Sequence, residues 1–149
     1  MSKQIAKHEY SGDTLTPAER SERMARVRNT DTKPEMIVRR LVHQLGYRYR
    51  LHDRSLPGIP DLVFRSRRKV VFVHGCFWHR HEGCALNRTP KSRLEFWVPK
   101  LAGNSDRDAA NLAKLNDLGW GSLIIWECEI GDSDGLARKL ATFLGPVRL

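Results

Sequence analysis

Thirteen residues, "FVHGCFWHRHEGC" (72–84), gather two thiols and three imidazoles around a Phe-Trp pair. Cys76, His81 and Cys84 stand as C-x4-H-x2-C, and the third cysteine of the chain, Cys128, follows in "WECE" just past an apolar run. Three cysteines cannot pair completely, so metal binding accounts for them better than a disulfide framework. Three thiolates and one imidazole make a recognised structural zinc set, and soft sulfur favours zinc over magnesium or calcium. A closed four-ligand site holds a loop rather than doing chemistry. Here it would pin residues 76–88 to the end of a core strand, with His79 competing for the place of His81.

A second chemistry is spelled by "LPGIPD" and "KVVFVHG". Asp61 stands at the start of a strand behind two prolines, where Asp is often a simple turn residue. The following strand, however, delivers Val73 and His74 beside the same end. A carboxylate, a neighbouring carbonyl oxygen and waters are a normal way to hold magnesium, which polarises a phosphate and acidifies bound water. His74 and His79 are then candidates for general base and general acid. Glu35 could orient a histidine or a bound water, although a capping box also explains it.

The elements that must position these groups follow from periodicity. "TPAERSERMARVRN" starts on Thr16, Pro17 and Glu19, and predicts a helix over about 17–29 carrying Arg20, Arg23, Arg26 and Arg28. Its apolar stripe is only Met24 and Val27, so it reads either as a helix that settles only against DNA or as an ordinary solvated one. Residues 1–15 read as a flexible tail and 16–149 as a single domain. Thr32 and Glu35 start a second helix that Gly46 stops, with Met36, Ile37, Leu41, Val42 and Leu45 as its apolar face. "YRYRLH" alternates as a strand with one basic face. "DLVF" and "KVVFVHG" read as a hairpin or adjacent sheet strands across the charged turn "RSRR". "SRLEFWVPKLAGN" is helical or irregular and broken near Pro99. "DRDAANLAKLNDLG" is a separate helix with Leu112, Leu115 and Leu118 inward. "WGSLIIWE" is a buried strand, with Trp120 and Trp126 read as packing. "DSDGLARKLATFLG" is a closing amphipathic helix. This order gives an α/β fold: a mixed sheet flanked by helices.

The net charge of +9 points to a polyanionic partner, with nucleic acid as the default. No apolar run reaches membrane-spanning length and "MSKQIAKHEYSGDT" has no apolar signal core, so a cytoplasmic protein with reduced thiols is expected.

"RMARVRNTDTKPE", "YRLHDRSLPGIPDLVF", "VVFVHGCFWHRHEGC", "EFWVPKLAGNSDRD" and "LIIWECE" together resemble the very-short-patch repair (Vsr) endonucleases over residues 16 to 145. The resemblance implies a restriction-endonuclease-like fold of the PD-(D/E)xK group. It implies a bacterial enzyme that nicks one strand beside the thymine of a T:G mismatch left by 5-methylcytosine deamination. By position, Asp61 matches the magnesium-binding aspartate and His79 the catalytic histidine, with His74 and Glu35 as further active-site residues. Cys76, His81, Cys84 and Cys128 match the zinc ligands. Phe77, Trp78 and Trp97 match aromatics that wedge into the base stack, where the alternative is ordinary core packing. Lys100 and Asn104 match contacts to the mismatched bases, and the helix bearing Arg23, Met24, Arg26 and Arg28 matches an element gripping DNA. Val73 replaces a threonine of the family and would serve magnesium through its backbone carbonyl. The His81–Cys84 gap is one residue longer than in one family pattern. The acidic residue and lysine usual on the second strand of the wider fold group are absent, Val73 and His74 taking their places. A monomer is expected, acting on mismatched double-stranded DNA at the nucleoid. A cytosine-5 methyltransferase and mismatch-repair proteins are the partners that a repair role brings. The rival readings are a restriction or defence nuclease and a non-catalytic zinc-stabilised DNA-binding module.

Overall fold

A computed structural model describes residues 31–147 except 89. The flexible tail and the helix expected over 17–29, with Arg23, Met24, Arg26 and Arg28, lie outside the described residues. Within them the fold is mixed α/β, in the order α1 (Lys33–Gln44), β1 (Arg50–Leu51), β2 (Leu62–Phe64), β3 (Lys69–His74), α2 (Leu94–Asp117), β4 (Gly121–Trp126), α3 (Ser133–Leu144). Short 3-10 turns, Arg65–Arg67 and Glu127–Glu129, follow β2 and β4.

The four strands pair in the order β1-β2-β3-β4. β2 and β3 form the expected antiparallel hairpin, with Leu62 opposite Val71. β3 and β4 run parallel, with His74 opposite Trp126. Parallel neighbours need a long crossover, which the Cys/His loop and α2 supply. Alternation along the strands then sorts the core onto two faces. Leu62, Phe64, Val71 and Ile125 meet Val38 and Val42 of α1 and Leu136, Leu140 and Leu144 of α3. Val63, Val70 and Phe72 meet Leu115 of α2 and Trp120. His74, in phase with Val70 and Phe72, therefore belongs to the α2 face.

Local chemistry sets the helix starts. Thr32 accepts the Glu35 N–H and caps α1, and Asp132 accepts the Gly135 N–H and caps α3. On α1 the buried stripe runs through Val38 and Val42, with Leu41 and Leu45 half-buried; Met36 and Ile37 stand at its margins. The strand expected over "YRYRLH" shrinks to two residues, because His52 turns into the left-handed region (φ 47°) and ends it. The alternation still holds there, since Tyr47 and Tyr49 both pack edge-on against Phe64.

Two expectations about residues 92–118 are corrected. Pro99 does not divide them: α2 runs unbroken for 24 residues with Pro99 inside. A proline at the sixth helical position forfeits one backbone bond, to the carbonyl of Glu95. Pro99 and Glu95 are both exposed, so water can serve that carbonyl. Leu118 does not point inward either. It is the C-terminal cap of α2 and about half-exposed, while Leu115 is fully buried and Leu112 packs beside it. Among the described residues, no helix is long and apolar enough to cross a membrane.

Because Pro99 costs a helix bond without breaking the helix, Pro99→Ala should raise stability by roughly 1–3 kcal/mol. Thermal unfolding of the two proteins measures this. A lower midpoint for Pro99→Ala would mean that the proline shapes α2 rather than burdening it.

Candidate active site and metal centre

Parallel pairing assembles the thiol cluster. His74 and Trp126 are register partners, so Cys76 and Cys128, each two residues further on, emerge side by side. The loop from β3 then folds back in tight turns: the His79 N–H reaches Gly75 O at 3.1 Å and the His81 N–H reaches Cys76 O at 3.0 Å. Glu127 receives the Cys76 N–H at 3.0 Å and ties the loop's root to the end of β4. The His81 ring stacks on Trp126 (4.1 Å, 7°), so Trp126 is a platform for His81 as well as a packing residue.

The ligand atoms of Cys76, His81, Cys84 and Cys128 lie within 4.8 Å of one another. His81 Nδ1 is 3.6 Å from Cys76 Sγ and 3.5 Å from Cys128 Sγ. Tetrahedral bonds of about 2.0–2.3 Å put ligand atoms roughly 3.5–3.8 Å apart, so the donor set fits one such ion. Burial pushes the Cys76 thiol up to about 12, and burial also raises Cys128. Cys84 is lowered, first by the Leu86 N–H that its sulfur accepts. A bound cation is what would let all three ionise together.

A separate cavity of about 450 Å³ opens at the ends of β2 and β3, lined by His52, Arg54, Asp61, Val73, His74, His79 and Asp108 among others. Asp61, Val73, His74 and His79 thus come together although they derive from two strands and a loop. Asp61 Oδ2 accepts the Val73 N–H at 2.7 Å. Burial pushes the Asp61 carboxyl up to about 7 against that N–H, and the Glu35 carboxylate adds to the rise. A largely desolvated acid with one N–H donor and an acidic neighbour is short of positive charge, Arg39 offsetting this only in part, and hard oxygen donors of this kind suit a divalent cation. Glu35, almost completely buried, accepts the Asp31 N–H at 3.1 Å, the Arg39 guanidinium and His52 Nε2 at 2.8 Å. It therefore helps cap the chain before α1 and orients a histidine, but that histidine is His52.

His74 and His79 stack face to face at 3.7 Å. Burial, then the charge of His79, lowers His74 to about 4, so it is neutral near pH 7. His79 Nδ1 meets Asp108 Oδ2 at 2.5 Å. With Nδ1–H committed to that carboxylate, Nε2 is the nitrogen left to exchange a proton.

Phe77, Trp78 and Trp97 form one half-buried aromatic cluster, with ring centroids 5.1–5.8 Å apart. Asn104 donates to Trp78 O at 3.1 Å and accepts from Arg107, so it braces the loop from α2. Lys100 lies one turn before Asn104 on the same helix, half-buried.

Sequence reasoning missed Asp108, His52 and Arg54. Asp108 sat unnoticed in "DRDAANLAKL", although it follows Asn104 by one helical turn. His52 looked like the tail of a strand. Arg54 is the sole Lys or Arg lining the cavity among the described residues, and Asp53 beside it is already locked to Arg65 and Ser55.

A family model described as DNA mismatch endonuclease Vsr matches residues 12–86. That span holds Glu35, Asp61, His74, His79 and three of the four clustered metal-type ligands. The chain is 48% identical over 134 residues to the type II nicking enzyme V.XorIIP of Xanthomonas oryzae pv. oryzae, covering 90% of this chain and 98% of that one. It is 39% identical over 130 residues to the DNA mismatch endonuclease Vsr of Escherichia coli K12, covering 87% and 83%. It is 39% identical over 118 residues to the type II nicking enzyme V.NmeAIP of Neisseria meningitidis, covering 79% and 84%.

The raised Asp61 carboxyl has a consequence for stability. In an unfolded chain an Asp ionises near 3.9, whereas here it holds its proton to about 7. The folded state binds more protons between those values, so this group's contribution is lost as pH rises and is gone above about 7. Asp61→Asn can still accept the Val73 N–H and carries no charge. Without added divalent cation, its gain over wild type should grow from pH 4 to 7 and level at about 1–3 kcal/mol. Denaturant unfolding across pH measures it. A less stable Asp61→Asn at pH 8 would mean that the carboxylate is already compensated.

Proposed function

Because the chain belongs to the Vsr family of DNA mismatch endonucleases, we propose that it nicks one strand of double-stranded DNA next to the T of a T:G mismatch. The carrying observation is the meeting of Asp61, His79 and Asp108 in one cavity, directly beside the aromatic loop. The names of the relatives, nicking enzymes among them, favour cutting one strand over a restriction-type cut of both. The fold is read as a branch of the PD-(D/E)xK group, supported by the hairpin that brings Asp61 to the Val73 N–H.

Asp61 and the Val73 carbonyl hold magnesium in this reading, with Glu35 beside them. When bound, the cation draws charge from a phosphate oxygen and eases deprotonation of water. His79 takes the proton of the attacking water at Nε2 as the water oxygen bonds to phosphorus and a phosphorus–oxygen ester bond breaks, the leaving oxygen taking a proton from water, while Asp108 fixes the His79 tautomer and stabilises the imidazolium. His74, uncharged, packs flat against His79 and keeps a second positive charge off the pair. The fold group's usual lysine is missing, and Arg54 at the cavity mouth supplies the positive charge for a DNA phosphate.

Cys76, His81, Cys84 and Cys128 hold zinc and stiffen the loop. Phe77, Trp78 and Trp97 enter the base stack, at a cost of a few kcal/mol that is least where pairing is faulty. Lys100 and Asn104 lie along α2 next to that wedge and contact the mismatched bases. The helix bearing Arg23, Met24, Arg26 and Arg28 grips the duplex. Repair places the enzyme in the bacterial cytoplasm, alongside a cytosine-5 methyltransferase.

Strand-resolved nicking of duplexes carrying each mismatch tests the proposal. Wild type should cut only the T strand of T:G with magnesium, and Asp61→Ala should bind that duplex yet nick it at least about 1,000-fold more slowly. Cutting of both strands of paired DNA would point to a restriction role instead. Phe77→Ala with Trp78→Ala should bring T:G and paired duplexes within a few-fold of each other in affinity, since about 1–3 kcal/mol of stacking is removed per ring. Undiminished discrimination would remove the wedge from recognition.

A further inference from the structure

The strained residue beside the carboxylates has no role in that reading. His52 ends β1 with φ 47°, a left-handed conformation that is unfavourable for a non-glycine residue and clusters at functional sites. The surroundings hold it there: its backbone N–H donates to Asp61 O at 3.2 Å, so the main chain of His52 and the main chain of Asp61 are tied together. Its side chain enters the cavity. Nε2 lies 2.8 Å from Glu35 Oε2 and 3.9 Å from Asp61 Oδ1. The first distance is a hydrogen bond and the second is not, so one N–H is committed to Glu35 while facing Asp61. Arg39 also holds Glu35 and reaches Asp61 through its charge alone, whereas His52 Nε2 stands beside both acids.

We propose that His52 is a positioning residue of the catalytic centre: its Nε2–H donor holds the Glu35 carboxylate turned toward Asp61, so that both acids face one divalent cation. The proposal rests on the magnesium-dependent reading above for the identity of the cation. Two carboxylates drawn together repel, and each needs a donor or a cation to stay. His52 supplies an imidazole donor on a backbone that is itself tied to Asp61 by the His52 N–H to Asp61 O bond. Its role is that of an N–H dipole and not of a proton carrier, which distinguishes it from His79.

The test compares His52→Leu, which keeps bulk without a donor, with His52→Gln, which keeps an N–H donor without an imidazole. His52→Leu should lower kcat for nicking about 10–100-fold with KM for the T:G duplex little changed. Its calorimetric affinity for Mg²⁺ should fall in parallel, and His52→Gln should recover most of both. Wild-type behaviour of His52→Leu, or equal impairment of His52→Gln, would overturn the proposal. Should His52→Leu fail to fold, the imidazole ¹⁵N spectrum of the wild type decides: the His52 ring should carry its proton on Nε2 and shift on Glu35→Gln. A ring protonated only on Nδ1 would overturn the assignment. A wild type that binds Mg²⁺ through this pair but nicks no duplex would sink the nuclease reading while leaving the role of His52 standing.

Discussion

The register between β3 and β4 is the constraint on which the site depends. Six consecutive pairs run in parallel from Lys69 with Gly121 to His74 with Trp126. A slip of one residue would reverse every side chain of one strand between the two faces of the sheet. It would also separate Cys76 from Cys128 and lift His81 off Trp126. The register is secured by a core that cannot be satisfied otherwise, with Val70, Val71 and Ile125 fully buried on opposite faces. Hydrophobic alternation thus fixes the placement of two thiols that are 52 positions apart in the chain. The loop geometry is inherited from the sheet, and metal binding would lock what the sheet has already arranged.

The other half of the site is governed by charge. Asp61 and Asp108 line one cavity, and the buried Glu35 stands behind it against His52, three carboxylates in a protein of net charge +9. Two of them have dedicated partners: Glu35 has Arg39 and His52, and Asp108 has His79. Asp61 has the Val73 N–H, with Glu35 beside it and His52 Nε2 further off at 3.9 Å. The net charge of +9 favours a polyanionic partner, and on the proposed reading Asp61, the least compensated of these acids, takes the cation. The two demands do not conflict, because desolvation and the Glu35 carboxylate act on Asp61 locally while the net charge of the chain acts at long range.

Much of this was legible in the sequence, for identifiable reasons. The thiol set could be read because cysteine is rare and its spacing is local. The hairpin could be read because alternation and a charged turn are local too. Three features resisted. Pro99 looked like a helix break because proline costs a backbone bond anywhere, and only the exposure of Glu95 makes that bond dispensable. Asp108 was hidden among other helix-surface charges, since its meaning comes from a histidine 29 residues earlier. His52 was assigned to a strand, because nothing in "YRLHD" announces that the backbone turns left-handed there. The expected zinc ligands, by contrast, needed only one long-range step, from the loop to Cys128. Information about contacts between distant elements is what a single sequence withholds.

The continuity of α2 gives the last step. Trp97, Asn104, Asp108 and Leu115 follow one another at helical spacing, and they meet in turn the aromatic loop, the Trp78 carbonyl, His79 and the core. A helix broken at Pro99 would let Trp97 move independently of Asp108. An unbroken one makes them parts of one rigid rod. His79 is also bound to Trp78 by a peptide bond, so the loop and the rod grip the same histidine from two sides. On the proposed reading, displacing the aromatic cluster into a duplex must load both connections at once. A paired step that resists the aromatic rings would push back along the same path and disturb the His79–Asp108 contact. Discrimination then requires no separate sensor. The few kcal/mol that distinguish a faulty step from a sound one are felt at the base because the rings and the base belong to one mechanical unit.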